Sequence, residues 1–153
     1  MAKRLRVAVN GFGVIGKRVA EAVRRQDDMQ LVGVCDVTTD WRVRIVEAQD
    51  TALFGSTPGT AAAMRQAGLP VAGTLHGLLT QAAIVVDCTP KRIAAQNVET
   101  YRSAGLKFIV HGGEKHTVTG HSFVAEVSFA SPIGREATTV VSCNTPSNLR
   151  TLT

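Results

Sequence analysis

Six residues near the start constrain this chain more than any others: Gly11-Phe12-Gly13-Val14-Ile15-Gly16. They follow Leu5-Arg6-Val7-Ala8-Val9-Asn10, a run of strand character. They open a stretch from Val14 to Arg25 in which Val14, Ile15, Val19, Ala22 and Val23 fall at helical spacing. Glycines between a strand and a helix answer separate steric demands. Gly11 permits the tight turn out of the strand, Gly13 lets the backbone approach a pyrophosphate, and Gly16 lets helix pack on strand. The helix start then offers unpaired N–H groups and a partial positive charge to phosphates. Gln30 to Cys35, ending at Asp36, is a second apolar run, so strand, turn, helix and strand fit one βαβ unit.

The rest of the chain continues the alternation. Trp41 to Ala48 reads as a helix, Phe54 to Thr60 as a turn-rich connection, and Ala61 to Ala67 as a short helix stopped by Gly68 and Pro70. Leu75 to Thr80 is a further helical piece. Ile84-Val85-Val86-Asp87-Cys88 has the continuous apolar character of a strand covered on both faces. Ile93 to Ser103 reads as a helix ended by Gly105, and Lys107 to Val110, Val124 to Val127 and Thr138 to Ser142 as strands. This alternation predicts an α/β fold, a doubly wound, mostly parallel sheet of the Rossmann NAD(P)-binding kind. Residues 1–141 are expected to form the dinucleotide-binding domain, and 142–153 the start of a catalytic domain whose remainder is absent.

At 153 residues the chain can bury one core. No apolar run reaches the roughly 18 residues of a membrane-spanning helix, and Met1-Ala2-Lys3-Arg4 leads directly into a strand, so a cytoplasmic protein is expected. The net charge of +5 is dispersed and only 5% of residues are aromatic, which argues against nucleic acid as a partner. Three separated cysteines without a CxxC pair argue against a disulfide framework and a metal site.

Asp36, 20 residues beyond Gly16, is placed to accept hydrogen bonds from the adenosine ribose and to repel a 2′-phosphate; the alternative is a turn-forming aspartate. NAD is therefore favoured over NADP, with Arg42 and Arg44 near enough to soften the preference. Thr89-Pro90 follows the Ile84–Cys88 strand and should border the same crevice. Cys35 and Cys88 end apolar strands and read as packed side chains. Cys143 stands at the C-terminal end of the last predicted strand, the edge where ligands gather in such sheets, and is a candidate thiolate nucleophile.

Five segments occur in order: Asn10 to Ala20, Gln26 to Val34, Asp87-Cys-Thr-Pro90, Gly112-Gly-Glu-Lys-His116 and Ser142-Cys-Asn-Thr145, followed by Leu149 to Leu152. Together they resemble the archaeal-type (type II) phosphorylating glyceraldehyde-3-phosphate dehydrogenases along essentially the whole chain. The resemblance implies an oxidoreductase of glycolysis and gluconeogenesis that converts glyceraldehyde 3-phosphate and inorganic phosphate to 1,3-bisphosphoglycerate. It implies Cys143 as nucleophile with Ser142 and Asn144 beside the reacting carbon, and a homotetramer. It also brings Val14 and Ile15 to the pyrophosphate, and Phe12, Gly112 and Gly113 to the cofactor.

The sequence departs from that family at several points. Asp36 stands where a lysine is frequent, which favours NAD. His111 stands where glutamine is frequent, and Pro146-Ser147 follows Thr145 where Thr-Gly is usual. The family's histidine acid/base and phosphate-binding arginines lie after the cysteine, whereas all four histidines here (76, 111, 116, 121) precede it. The chain alone is therefore expected to be an incomplete enzyme. Two other readings stay open: a non-catalytic NAD-binding sensor or scaffold, and a different aldehyde dehydrogenase of similar layout, which the Gly112-Gly-Glu-Lys and Ser142-Cys-Asn-Thr series disfavours.

Overall fold

The structure is a computed structural model that describes residues 4–111, 113–142 and 145. Its chain order is β1 (Leu5–Asn10), α1 (Val14–Arg24), β2 (Met29–Asp36), α2 (Trp41–Ala48), β3 (Leu53–Gly55), α3 (Pro58–Gln66), β4 (Val71–Thr74) and α4 (Leu75–Leu79). It continues with β5 (Ile84–Asp87), α5 (Ile93–Ser103), β6 (Lys107–His111), a 3-10 turn (His116–Val118), β7 (Ser122–Phe123), α6 (Ala125–Ser128) and β8 (Ala137–Val140). The strands form one sheet in the order β4-β3-β2-β1-β5-β6-β8-β7, every neighbouring pair parallel.

Strand alternation divides the core between the two faces of this sheet. On one face Ala8, Val85, Phe108 and Val110 pack with Leu75, Leu78, Val98 and Tyr101 of α4 and α5. On the other, Val9, Val34 and Leu53 meet Ala20 of α1, Val43 and Val46 of α2 and Met64 of α3. Helices on both faces are what a doubly wound sheet requires, and they explain why β5 lacks a polar alternation.

Two expectations need correction. The segment from Phe54 to Thr60 is more than a connection, since Leu53–Gly55 pairs with β2 and β4 and α3 begins at Pro58. The Thr57 hydroxyl caps that helix by accepting from the Thr60 N–H, with Pro58 in the first turn. Three residues are too few to show a strand period, and so β3 is hidden from pattern reading; β4, at four residues, was missed likewise. Val124 to Val127 is a helical turn rather than a strand. The N–H groups of Val127 and Ser128 donate to the Val124 carbonyl, and the Ser128 hydroxyl accepts from the Val124 N–H. The strand expected there is the short β7, just upstream.

Candidate functional site

The chain leaves β1 toward β2 on one side, while β5 lies against β1 on the other. At such a switch point the loops after the strands diverge and leave a crevice beyond their C-terminal ends. A cleft of about 610 Å³ opens there, walled by Gly11, Gly13, Asp36, Thr38, Arg42, Ser56, Thr57, Thr89, Pro90 and Asn97, among others.

The glycine turn is built from two kinds of constraint. Gly11 has φ +90°, and a Cβ on it would lie 2.7 Å from the Thr89 nitrogen. Loop 88–90 thus presses directly on the turn, backbone to backbone. A Cβ on Gly16 would lie 1.9 Å from the Gly11 carbonyl oxygen, so the helix could not approach the turn with any larger residue. Gly13 differs from both. Its φ of −74° suits any residue, and no atom of the described residues stands within 4 Å of where its Cβ would be. Neither strain nor crowding within the described residues asks for glycine there. What Gly13 keeps open is the cleft side of the start of α1, and that helix has no side-chain cap and no acidic residue in its first turn. A phosphate group fits this arrangement.

Asp36 sits at the end of β2, in the cleft wall. Its Oδ2 accepts from the Phe12 N–H at 2.6 Å, and its Oδ1 from the N–H groups of Val37 at 2.7 Å and Thr38 at 3.0 Å. A carboxylate offers about four acceptor positions, so one remains for a ligand hydroxyl. The same side chain therefore fixes the glycine turn and faces the cleft. Of the two nearby arginines, Arg42 lines the cleft and pairs with Asp40 at 2.7 Å. Arg44 turns away, donating to the Ala67 carbonyl at 2.9 Å.

Other expected site residues are distributed unevenly. Thr89 and Pro90 do line the cleft, whereas Phe12 buries its ring in the core and contributes its backbone alone. Val14 and Ile15 are exposed on the first turn of α1 and are not in the cleft wall. Gly113 stands in open space at φ +73°, and Ser142 is exposed just after β8. Gly112, Cys143 and Asn144 lie outside the described residues. Sequence reading missed Ser56 and Thr57, because they follow the unrecognised β3. It also missed Asn97, which one helical turn past the start of α5 carries no motif.

The remaining cysteines are chemically quiet. Burial, helped by the nearby Asp36 and Asp87, pushes the Cys35 thiol up to about 12. Burial and Asp87 push Cys88 up to about 12 as well, although it borders the cleft. Neither is a thiolate near neutral pH. At the end of β6, His111 buries an Nδ1 that has no partner among the described residues, and burial holds its pKa below the usual histidine value. Among the described residues no three His, Cys, Asp or Glu side chains are grouped to hold a metal ion, and no helix is long and apolar enough to cross a membrane.

The parallel sheet, the glycine turn at its switch point and the acidic end of β2 define an NAD(P)-binding Rossmann domain. The chain belongs to the family described as dihydrodipicolinate reductase, N-terminus, whose family model matches residues 5–118. Among curated proteins it is 45% identical over 146 residues to glyceraldehyde-3-phosphate dehydrogenase of Methanothermobacter thermautotrophicus, covering 95% of this chain and 43% of that protein. The enzyme of the same name from Methanobrevibacter smithii is 45% identical over 147 residues, and that of Methanothermus fervidus 42% over 146. The chain spans less than half the length of these relatives. Among solved structures, GenD2 of gentamicin A biosynthesis, in complex with NAD, superposes with a TM-score of 0.55 at 22% identity, over 72% of this chain and 27% of that one. The scyllo-inositol dehydrogenase of Lactobacillus casei gives 0.55 at 13%, over 72% and 29%. These two likenesses establish the fold. The family match ends at Val118, before β8, so it speaks to the cofactor cleft, while the dehydrogenase relatives also align with the segment that carries Cys143.

Proposed function

We propose that this chain supplies the cofactor cleft and the nucleophile of a phosphorylating glyceraldehyde-3-phosphate dehydrogenase. Residues 1–141 form the NAD-binding domain and 142–153 begin the catalytic one. The observation that carries this reading is the 45% identity over 95% of the chain to a protein of that name, with Ser142-Cys143-Asn144-Thr145 following in sequence after β8. NAD fits the cleft: the open side of Gly13 faces the pyrophosphate, and Asp36 keeps one acceptor position for the adenosine ribose. NADP is the poorer ligand, because its 2′-phosphate meets the Asp36 carboxylate while Asp40 offsets Arg42.

In this reading Cys143, as thiolate, attacks the aldehyde carbon of glyceraldehyde 3-phosphate to give a hemithioacetal. Bound NAD supplies the hydride acceptor for its oxidation. The resulting thioester is cleaved by inorganic phosphate, releasing 1,3-bisphosphoglycerate and restoring the thiolate. The backbone N–H of Cys143 and the polar groups of Ser142 and Asn144 are the chain's own candidates for holding the reacting oxygen. No histidine follows Cys143 in this chain, and general acid–base assistance is worth roughly 10²–10⁴-fold, so turnover by this chain alone is expected to be lower by at least that factor. The whole enzyme is proposed to be a cytoplasmic homotetramer.

The test exploits the three thiols. Limited alkylation with iodoacetamide at about pH 7.5, mapped by mass spectrometry, is expected to modify Cys143 well ahead of Cys35 and Cys88. Preferential labelling of Cys88 or Cys35 contradicts the assignment of the nucleophile. Turnover by the chain with NAD, phosphate and aldehyde at the rate of a whole dehydrogenase contradicts its catalytic incompleteness. NAD binding with an inert Cys143 favours a sensor or scaffold instead.

A further inference from the structure

Asp87 closes β5 with no exposed surface, and four donors meet its two carboxylate oxygens. Oδ1 accepts from the Thr89 N–H at 2.9 Å and the Thr89 hydroxyl at 2.5 Å. Oδ2 accepts from the Tyr101 hydroxyl at 2.5 Å and from Asn97 Nδ2 at 2.9 Å. The Tyr101 oxygen accepts in turn from Asn10 Nδ2 at 2.7 Å. Asn97 and Tyr101 are four residues apart on α5 and so share the helix face turned to Asp87.

An ionised carboxylate accepts hydrogen bonds and donates none. The group that Asn97 turns toward Asp87 must therefore be its NH2, and this fixes the otherwise ambiguous orientation of the amide. The carbonyl Oδ1 is left pointing away from Asp87, and no hydrogen bond among the described residues uses it. Asn97 lies in the cleft wall with Thr89, Pro90 and Ile93. Asp36 marks the adenosine side of the crevice, beyond β1 on the β2 side, whereas Asn97 belongs to the β5 side. A dinucleotide laid across the switch point brings its second nucleoside to that side.

We infer that Asn97 is a cofactor-contacting residue whose Oδ1 accepts a hydrogen bond from a hydroxyl or amide N–H on the half of the dinucleotide remote from adenine, and that Asp87 is the positioning residue that aims it. The inference rests on the dinucleotide reading of the cleft. A lost hydrogen bond of this kind lowers affinity about five- to tenfold.

Calorimetric titration of wild type and Asn97→Ala with NAD and with ADP tests this, since ADP has no second nucleoside. The variant is expected to bind NAD about five- to tenfold more weakly and ADP unchanged within about twofold. Tyr101→Phe removes a donor to Asp87 away from the cleft; it should lower the melting temperature and leave the ratio of NAD to ADP affinity unaltered. Should Asn97→Ala fail to fold, the wild-type side-chain amide resonances of Asn97 carry the test, shifting on addition of NAD and not of ADP. Equal loss of both ligands in Asn97→Ala, unchanged NAD binding, or amide resonances indifferent to NAD overturns the inference. Wild-type protein that binds neither ligand overturns the dinucleotide reading, and the inference with it.

Discussion

Two aspartates end two strands on either side of β1, and the molecule treats them in opposite ways. Asp36, at the end of β2, faces the cleft and is held by three backbone N–H groups. Asp87, at the end of β5, is fully buried and takes three of its four hydrogen bonds from side chains. The first is held by backbone alone, that of its own strand end and of the glycine turn, and it keeps spare capacity for a ligand. The second depends for half of its hydrogen bonds on α5 having docked against β5. A carboxylate beside a cofactor cleft can thus serve the ligand or the architecture, and its donors show which.

The largest expected effect separates these roles. Asp87→Ala leaves the donors of Thr89, Asn97 and Tyr101 short of an acceptor in a buried place, and should destabilise the fold by about 3 kcal/mol or more. Urea unfolding measures it, and a loss below about 1 kcal/mol would erase the distinction. Asp36→Lys is expected to act chiefly on the ligand: the NAD to NADP affinity ratio should fall at least about tenfold, as the ribose acceptor is replaced by a cation suited to a 2′-phosphate. An unchanged ratio would remove Asp36 from the ribose site.

A smaller effect sharpens the β5 side. Arg92, just before α5, has φ +75°, a left-handed backbone for a residue with a side chain, and its N–H donates to the Glu114 carboxylate. Arg92→Gly keeps that hydrogen bond and relieves the strain, so a gain of up to about 1 kcal/mol is expected in thermal unfolding. A loss would show that the arginine side chain stabilises the loop more than its backbone strains it.

The smallest effect concerns His111. Burial lowers its pKa in the folded state, so the unfolded chain takes up a proton first as pH falls. Its contribution to stability is complete above the unfolded value of about 6.5 and is lost as pH drops through the folded one. His111→Gln should flatten part of the fall in melting temperature between about pH 7 and pH 5, and an identical pH profile would contradict it.

The same contrast explains what could be read beforehand. The position of Asp36 in the cleft wall was legible because it follows from distance along the chain: a strand end at a set spacing from a glycine turn. Helices α2 and α5 were legible with their bounds, the second through its stop at Gly105. Asn97 and the Asp87 network were not, since their meaning depends on contacts between residues 10, 87, 97 and 101 that no local pattern carries. β3 was hidden by its length, and with it Ser56 and Thr57 in the cleft. The expectation for Val14 and Ile15 came from the resemblance as a whole; of the first turn's residues it is Gly13, not these two, that lines the cleft.

Gly13 offers a way to fill the phosphate end of the cleft without disturbing the fold. A Cβ there strikes no atom of the described residues and the backbone accepts any residue, so Gly13→Val should fold and melt close to the wild type. Its side chain would occupy the space assigned to the pyrophosphate. Calorimetry is expected to show NAD binding to the wild-type chain and at least a tenfold weakening, about 1.4 kcal/mol, in Gly13→Val. A folded Gly13→Val that binds NAD as tightly as the wild type would mean that no pyrophosphate lies against this turn.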